Sequence, residues 1–131
     1  MSFATAARDI EQRLKDNWAT TVIDINPDVR FKPPADDAWV KLRVFNESST
    51  RINIGTPGVH RNNGSIAIEI YTPLGEGTRR GLGYGDTLAA LFRDVQFNGL
   101  TFREANVEPV GEFEQWWQTT LFCTFYWDGR Y

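Results

Sequence analysis

The sequence predicts an α+β fold, an antiparallel or mixed sheet with two helices packed on one face, built as a single domain over residues 1–131. Three observations carry that expectation. Apolar residues recur at helical spacing near the N-terminus and again after residue 86, they alternate with a period of two between residues 38 and 73, and they alternate once more through an aromatic C-terminal run. A length of 131 residues with 41% hydrophobic content suits one core and leaves no room for a second domain.

Taken in order, Phe3, Ala7, Ile10, Leu14 and Trp18 fall at steps of four and three and share one helix face. Asp9 with Arg13 and Glu11 with Lys15 are acid-before-base pairs one turn apart, each supporting a helix by roughly 0.2 to 0.5 kcal/mol, and Ser2 is placed to cap the start. The helix is expected to end between Asn17 and Thr20, before the β-branched run TTVIDI. INPDVRFKPPADD then reads as an ordered loop stiffened by Pro33 and Pro34. From Ala38, the set Val40, Leu42 and Val44 alternates against Trp39, Lys41, Arg43 and Phe45, which makes a strand. NESST reads as a turn, after which Ile52 and Ile54 begin a second short strand and close a hairpin. Asn62, Asn63 and Gly64 supply residues tolerant of positive φ, and SIAIEIYTP alternates Ile66, Ile68 and Ile70 against Ser65, Ala67, Glu69 and Tyr71, the clearest strand in the chain. Leu88, Leu91, Phe92 and Val95 predict a short amphipathic helix with Asp86 as its N-cap. The remainder reads as strand segments over 100–104 and 107–110 and a long strand over 113–127, with Pro109 marking an edge or a bend.

Composition excludes several functions. The formal net charge is −3 with both signs interspersed, so no basic stripe argues for nucleic acid. Cys123 and His60 are the only residues of their types, which rules out an internal disulfide and leaves almost nothing for a structural zinc site. The longest uncharged apolar run is far short of a membrane span, and MSFATAARDIEQRL meets charge by Arg8, so neither a membrane segment nor a signal peptide is expected.

The segment GEGTRRGLGYGDTLAALF raises the possibility of a phosphate cradle through Gly81, Gly83 and Gly85. A dinucleotide fingerprint needs a third glycine at a spacing that is missing here, after a continuously apolar parallel strand rather than an alternating one, and no Gly-Lys-Ser/Thr follows for a Walker loop. A mobile glycine-rich turn over residues 75–85, ordered by a partner, is the expectation, with a small-ligand or phosphate-binding domain as the alternative. Cys123 lies in an aromatic strand with no base at a recognisable spacing, and Asp36 and Asp37 point apart on an extended chain, so no catalytic residues and no cofactor are expected. The anomaly is the C-terminal strand. Trp117, Leu121, Cys123, Phe125 and Trp127 share one face, but Trp116, Phe122 and Tyr126 share the other with Gln118, Thr120 and Thr124. One face of such a sheet should be wet, so an aromatic second face points to a covering layer or to a subunit interface. Trp116, Phe122 and Tyr126, with Arg79, Arg80 and Tyr84 from the glycine-rich segment, are the candidate subunit or partner contacts.

The N-terminal amphipathic helix, AWVKLRV, RNNGSIAIEIYTPLGEGTRRGLGYGDTLAALF and GLTFREANVEPVGEFEQWWQTTLFCTFYW together resemble the small phage tail terminator-like (tail completion) proteins of long-tailed phages and prophages. The similarity spans almost the whole chain. Its most specific parts are the G-x-I-x-I-x-I-Y-x-P-x-G-x-G strand and loop leading to a G-D-x-L helix, and Glu-Pro followed by a Gly and a Trp-rich strand. The resemblance implies an α+β fold, a homo-oligomeric ring that is a hexamer on the assembled tail, and tail tube protein and head-completion protein as partners; from its small size and patchy aromatic surface the isolated chain is expected to be a monomer or weak oligomer. The resemblance also implies assembly in the bacterial host cytoplasm, residence in the virion tail and no catalytic residues, and composition adds the expectation of no membrane and no specific nucleic acid as partners. Another phage neck or baseplate adaptor is the neighbouring reading.

Overall fold

A computed structural model describes residues 1–26 and 30–130. The elements are α1 (Phe3–Asn17), β1 (Val22–Asp24), β2 (Trp39–Arg51), β3 (Val59–Pro73), α2 (Arg79–Phe92), β4 (Gln96–Phe97), β5 (Leu100–Phe113) and β6 (Trp116–Arg130). They form an α+β fold with one six-stranded sheet in the order β1-β2-β3-β6-β5-β4. The sheet is mixed because β1 runs parallel to β2, while every other pairing is antiparallel.

Helix α1 begins as its sequence predicts, with the Thr5 N–H donating to Ser2 Oγ at 3.2 Å. Ala6, Ile10 and Leu14 are its buried residues, and Trp18 is buried just past its end. They join Leu88, Ala89 and Phe92 of α2 in one apolar cluster with Val40 and Leu42 of β2, Ile66, Ile68 and Ile70 of β3, Phe102 of β5, and Leu121, Cys123, Phe125 and Trp127 of β6. Cross-strand register ties these strand residues together: Leu42 stands opposite Ile68 and Ile68 opposite Leu121. They therefore share one side of the sheet, and their neighbours in sequence share the other.

Several sequence expectations are corrected. NESST is not a turn: β2 runs through it with a bulge between Asn46 and Ser48, and the chain reverses at residues 52–58 instead. Its hairpin partner is β3, which takes in Asn62, Asn63 and Gly64 as strand. Gly64 is there for space. A Cβ at that position would lie 2.5 Å from Phe125 Cζ and 2.6 Å from the Phe45 carbonyl oxygen. The segments at 100–104 and 107–110 are one strand, β5, and the following strand starts at Trp116 because the chain turns at Glu114, whose φ is 54°. Pro109 lies at a bulge, and beyond Phe102 the outer edge of β5 has no partner strand among the described residues, so both readings of that proline hold. The short strands β1 and β4 carry no periodic signal; β4 returns to β5 through Asn98 and Gly99, both at positive φ. In the predicted INPDVRFKPPADD loop, residues 27–29 lie outside the described residues.

Helix α2 departs furthest from expectation. It starts at Arg79, not after Asp86, and takes Gly81, Gly83 and Gly85 into its body. Thr78 is the N-cap position and forms no side-chain cap bond. Two of the three glycines are contact points: a Cβ on Gly81 would come 2.7 Å from Thr119 Oγ1, and one on Gly85 2.6 Å from Val107 Cγ1. The missing side chains let the helix backbone approach β5 and β6 closely. The turn is thus confined to the segment of Gly75 and Gly77, both at positive φ, and the glycine triplet is helical backbone rather than a phosphate nest.

Candidate interaction surface

The side of the sheet opposite the main cluster carries Trp39, Arg43 and Phe45 of β2, Ala67, Glu69 and Tyr71 of β3, and Trp116, Gln118, Thr120, Phe122 and Tyr126 of β6. It divides into three zones along the strands.

At one end an aromatic layer is closed by the chain itself. Trp39 stacks on Tyr71 at 4.3 Å between ring centroids and meets Trp116 edge-on at 6.1 Å, while Phe31 covers Trp39 at 5.0 Å. Trp116, expected at a partner contact, is only 3% exposed and packs within its own subunit. The loop before β2 supplies the cover that an alternation pattern cannot reveal. The Tyr71 hydroxyl donates to Glu69 Oε2 at 3.2 Å, and burial, then the Glu69 charge, pushes its pKa well up.

In the middle the surface is open. Phe122 is 52% exposed, and Phe45 and Val110 are exposed beside it. With Ala67 they form the apolar part of a concavity of about 350 Å³, whose polar part is Arg43, Glu69, Glu108, Gln118 and Thr120. Arg43 Nε lies 3.6 Å from Glu69 Oε2. Val110 and Glu108 were not singled out by the sequence, because β5 shifts register twice, between Phe102 and Ala105 ahead of Glu108 and between Pro109 and Gly111 around Val110.

At the far end Tyr126 is half-buried, with the Arg61 guanidinium 4.3 Å and that of Arg103 4.7 Å from its ring centroid. Arg61 also donates to both oxygens of Asp128 at 2.9 and 3.0 Å and holds that carboxyl below the usual carboxylate range.

Arg79, Arg80 and Tyr84 lie away from this surface, on α2. Arg79 is exposed. Arg80, the second candidate partner contact there, is a clasp within the subunit: it donates to Tyr84 Oη at 2.9 Å, Glu76 Oε2 at 3.0 Å and Asp37 Oδ1 at 2.8 Å. Those bonds raise its own pKa, while its guanidinium holds Asp37 below the usual range. Tyr84 meets Trp18 edge-on at 5.3 Å, so the clasp joins the end of α1, the loop before β2, the β3–α2 turn and α2. Among the described residues no group of three His, Cys, Asp or Glu side chains could hold a metal ion, and no helix is long and apolar enough to cross a membrane.

A family model described as phage tail terminator protein matches residues 6–121. Among solved structures, one superposes with a TM-score of 0.66 over 97% of this chain and 96% of its own, at 19% identity, which is a likeness of fold alone. No curated protein matches in sequence. The family match takes in α1 from Ala6, all of α2 and of β1 to β5, and β6 as far as Leu121, and on that ground the chain belongs to the phage tail terminator family.

Proposed function

We propose that this chain is a structural, non-enzymatic virion protein that assembles as a ring on the end of the phage tail tube, stops tube polymerisation and offers the surface to which the head-completion protein binds. The family supplies the tail context. The observation that carries the reading is the open middle of the sheet's second side, where Phe45, Val110 and Phe122 stay exposed around a concavity. Contiguous exposed apolar surface of this kind marks contact surfaces, and a closed ring needs a heterologous interface of two unlike patches. Both helices packing on the other face belongs to this reading and is supported by their shared apolar cluster, since it leaves the second side for partners. A hexamer is the stoichiometry proposed, formed in the host during assembly, with a monomer in dilute solution.

The test is assembly. Purified chain, alone and with tail tubes, is followed by light scattering and negative-stain microscopy across a concentration series. Rings on one tube end and arrested elongation are expected. A chain that never decorates a tube end would overturn the reading, and decoration of a baseplate instead would reassign the chain within the tail.

A further inference from the structure

Residues 52–58, the loop joining β2 to β3, contain no charged side chain, yet Ile54 is fully exposed and Ile52 about half so. Their own fold makes little use of these side chains. The loop is nevertheless held in shape: Arg51 donates from Nε to the Asn53 carbonyl at 2.8 Å and from Nη2 to that of Gly55. Asn53 Oδ1 accepts from the Val59 N–H at 2.6 Å, and the Ile52 N–H donates to the Val59 carbonyl at 2.8 Å. A braced loop presenting an aliphatic side chain loses little conformational entropy on docking, which is the character of an anchor.

The same chain carries a receptor of matching chemistry. The mid-sheet concavity joins Ala67, Phe122 and Val110 to a rim that includes Glu69 and Glu108. Charge agrees as well: residues 51–61 contain no acid and present Arg51 at the base of the loop, Arg61 being already paired to Asp128, while the lining of the concavity carries Glu69 and Glu108 against the single base Arg43. The loop prolongs β2 and β3, the strands that themselves line the concavity through Phe45 and Ala67, so it points along the sheet and cannot fold back into its own receptor. A convex element and its receptor at different places on one chain make a head-to-tail contact between copies. We propose that the loop of one copy seats Ile54 in the mid-sheet concavity of the next. This names the two halves of the heterologous interface and rests on the ring reading above.

The experiment uses the full chain with Ile54→Asp, Ile54→Val, and the separate variants Ile54→Cys and Val110→Cys. Ile54→Asp is expected to raise the concentration for half-association by roughly ten-fold or more, as loss of an interface anchor does, with its denaturant midpoint in dilute solution unchanged. Ile54→Val is expected to associate nearly as the parent does. Mixing the two cysteine variants under oxidising conditions is expected to give a disulfide-linked dimer that Val110→Cys alone does not form. Association of Ile54→Asp at parental concentrations, absence of the mixed dimer, or a parent chain that stays monomeric both in concentrated solution and on tubes would each overturn the contact. The two readings fail separately. Undiminished capping by Ile54→Asp removes this contact and leaves the capping function, whereas self-association through Ile54 without any tube-end decoration does the reverse.

Discussion

Leu121 and Phe122 are adjacent on β6 and lie on opposite sides of the sheet, Leu121 fully buried in the main cluster and Phe122 half exposed. Leu121→Ala is therefore expected to cost roughly 2 to 5 kcal/mol of subunit stability and Phe122→Ala less than about 0.5 kcal/mol, read from denaturant midpoints in dilute solution. Trp116 shares the alternation of Phe122 but not its fate. It sits against Trp39 beneath a loop, so Trp116→Ala is expected to cost roughly 3 to 5 kcal/mol and to unfold the subunit before any assembly defect can be seen. Equal, small effects at Trp116 and Phe122 would show that the aromatic layer contributes nothing to the subunit. Cys123, next along the strand, illustrates burial acting on a titratable group: desolvation pushes its pKa from 9.0 to about 11. Between those values the unfolded chain has given up the thiol proton and the folded chain has kept it, so stability falls as pH rises from about 9 to about 11. Denaturant midpoints over that range should drop more steeply for the parent than for Cys123→Ala, and thiol reagents should reach the native chain slowly. Parallel pH profiles would sink the assignment.

Among the elements, α2 makes the glycine pattern a packing device. Gly83 has open space where its side chain would be, while Gly81 and Gly85 face Thr119 and Val107 at distances no Cβ tolerates. Gly83→Ala is expected to stabilise the subunit by about 0.5 to 1 kcal/mol, through the entropy that a helical glycine loses on folding. Gly81→Ala and Gly85→Ala should destabilise it by about 1 to 3 kcal/mol through overpacking. Thermal midpoints decide the matter, and equal shifts at all three sites would mean that α2 does not lie against β5 and β6. The same helix shows where the sequence is legible and where it is not. The period of Leu88, Leu91 and Phe92 announced a helix, but three glycines in seven residues mask its first half, because helix propensity argues against them and only the partner surface explains them. Strand β3 was legible through its isoleucines, and its continuation through Asn62, Asn63 and Gly64 was not, since pairing to both β2 and β6 overrides local turn preference. Of the six candidate contacts, the parity of Phe122 and Tyr126 on β6 was readable from alternation. The bonds that hold Arg80 were not readable, because the clasp depends on Asp37, 43 residues away.

For the whole molecule the question is whether the two sides of the sheet serve different ends. The side carrying Leu42, Ile68 and Leu121 closes within the subunit, and so does the aromatic end of the other, through Phe31 and Trp116. Of the large apolar side chains left exposed, Phe122, Phe45 and Val110 gather around one concavity and Ile52 and Ile54 stand on the 52–58 loop, while Met1, Val22, Leu74 and Phe113 lie elsewhere. A ring built on these patches binds only the folded chain, so assembly must stabilise it by mass action, by about 2.7 kcal/mol when the concentration reaches a hundred times Kd. At roughly 3 to 5 °C per kcal/mol for a chain of this size, the thermal midpoint should climb by roughly 10 °C between the dilute and the assembled regimes. Phe122→Ala should match the parent in the dilute limit and rise far less with concentration, because it removes interface and not core. Scanning calorimetry over a wide concentration range, paired with light scattering at each point, reads both terms. A Phe122→Ala chain that forms rings at parental concentrations, with the same rise in midpoint, would mean that the open surface contributes nothing to assembly, and a Phe122→Ala midpoint already lowered in the dilute limit would return that side chain to the core of the subunit.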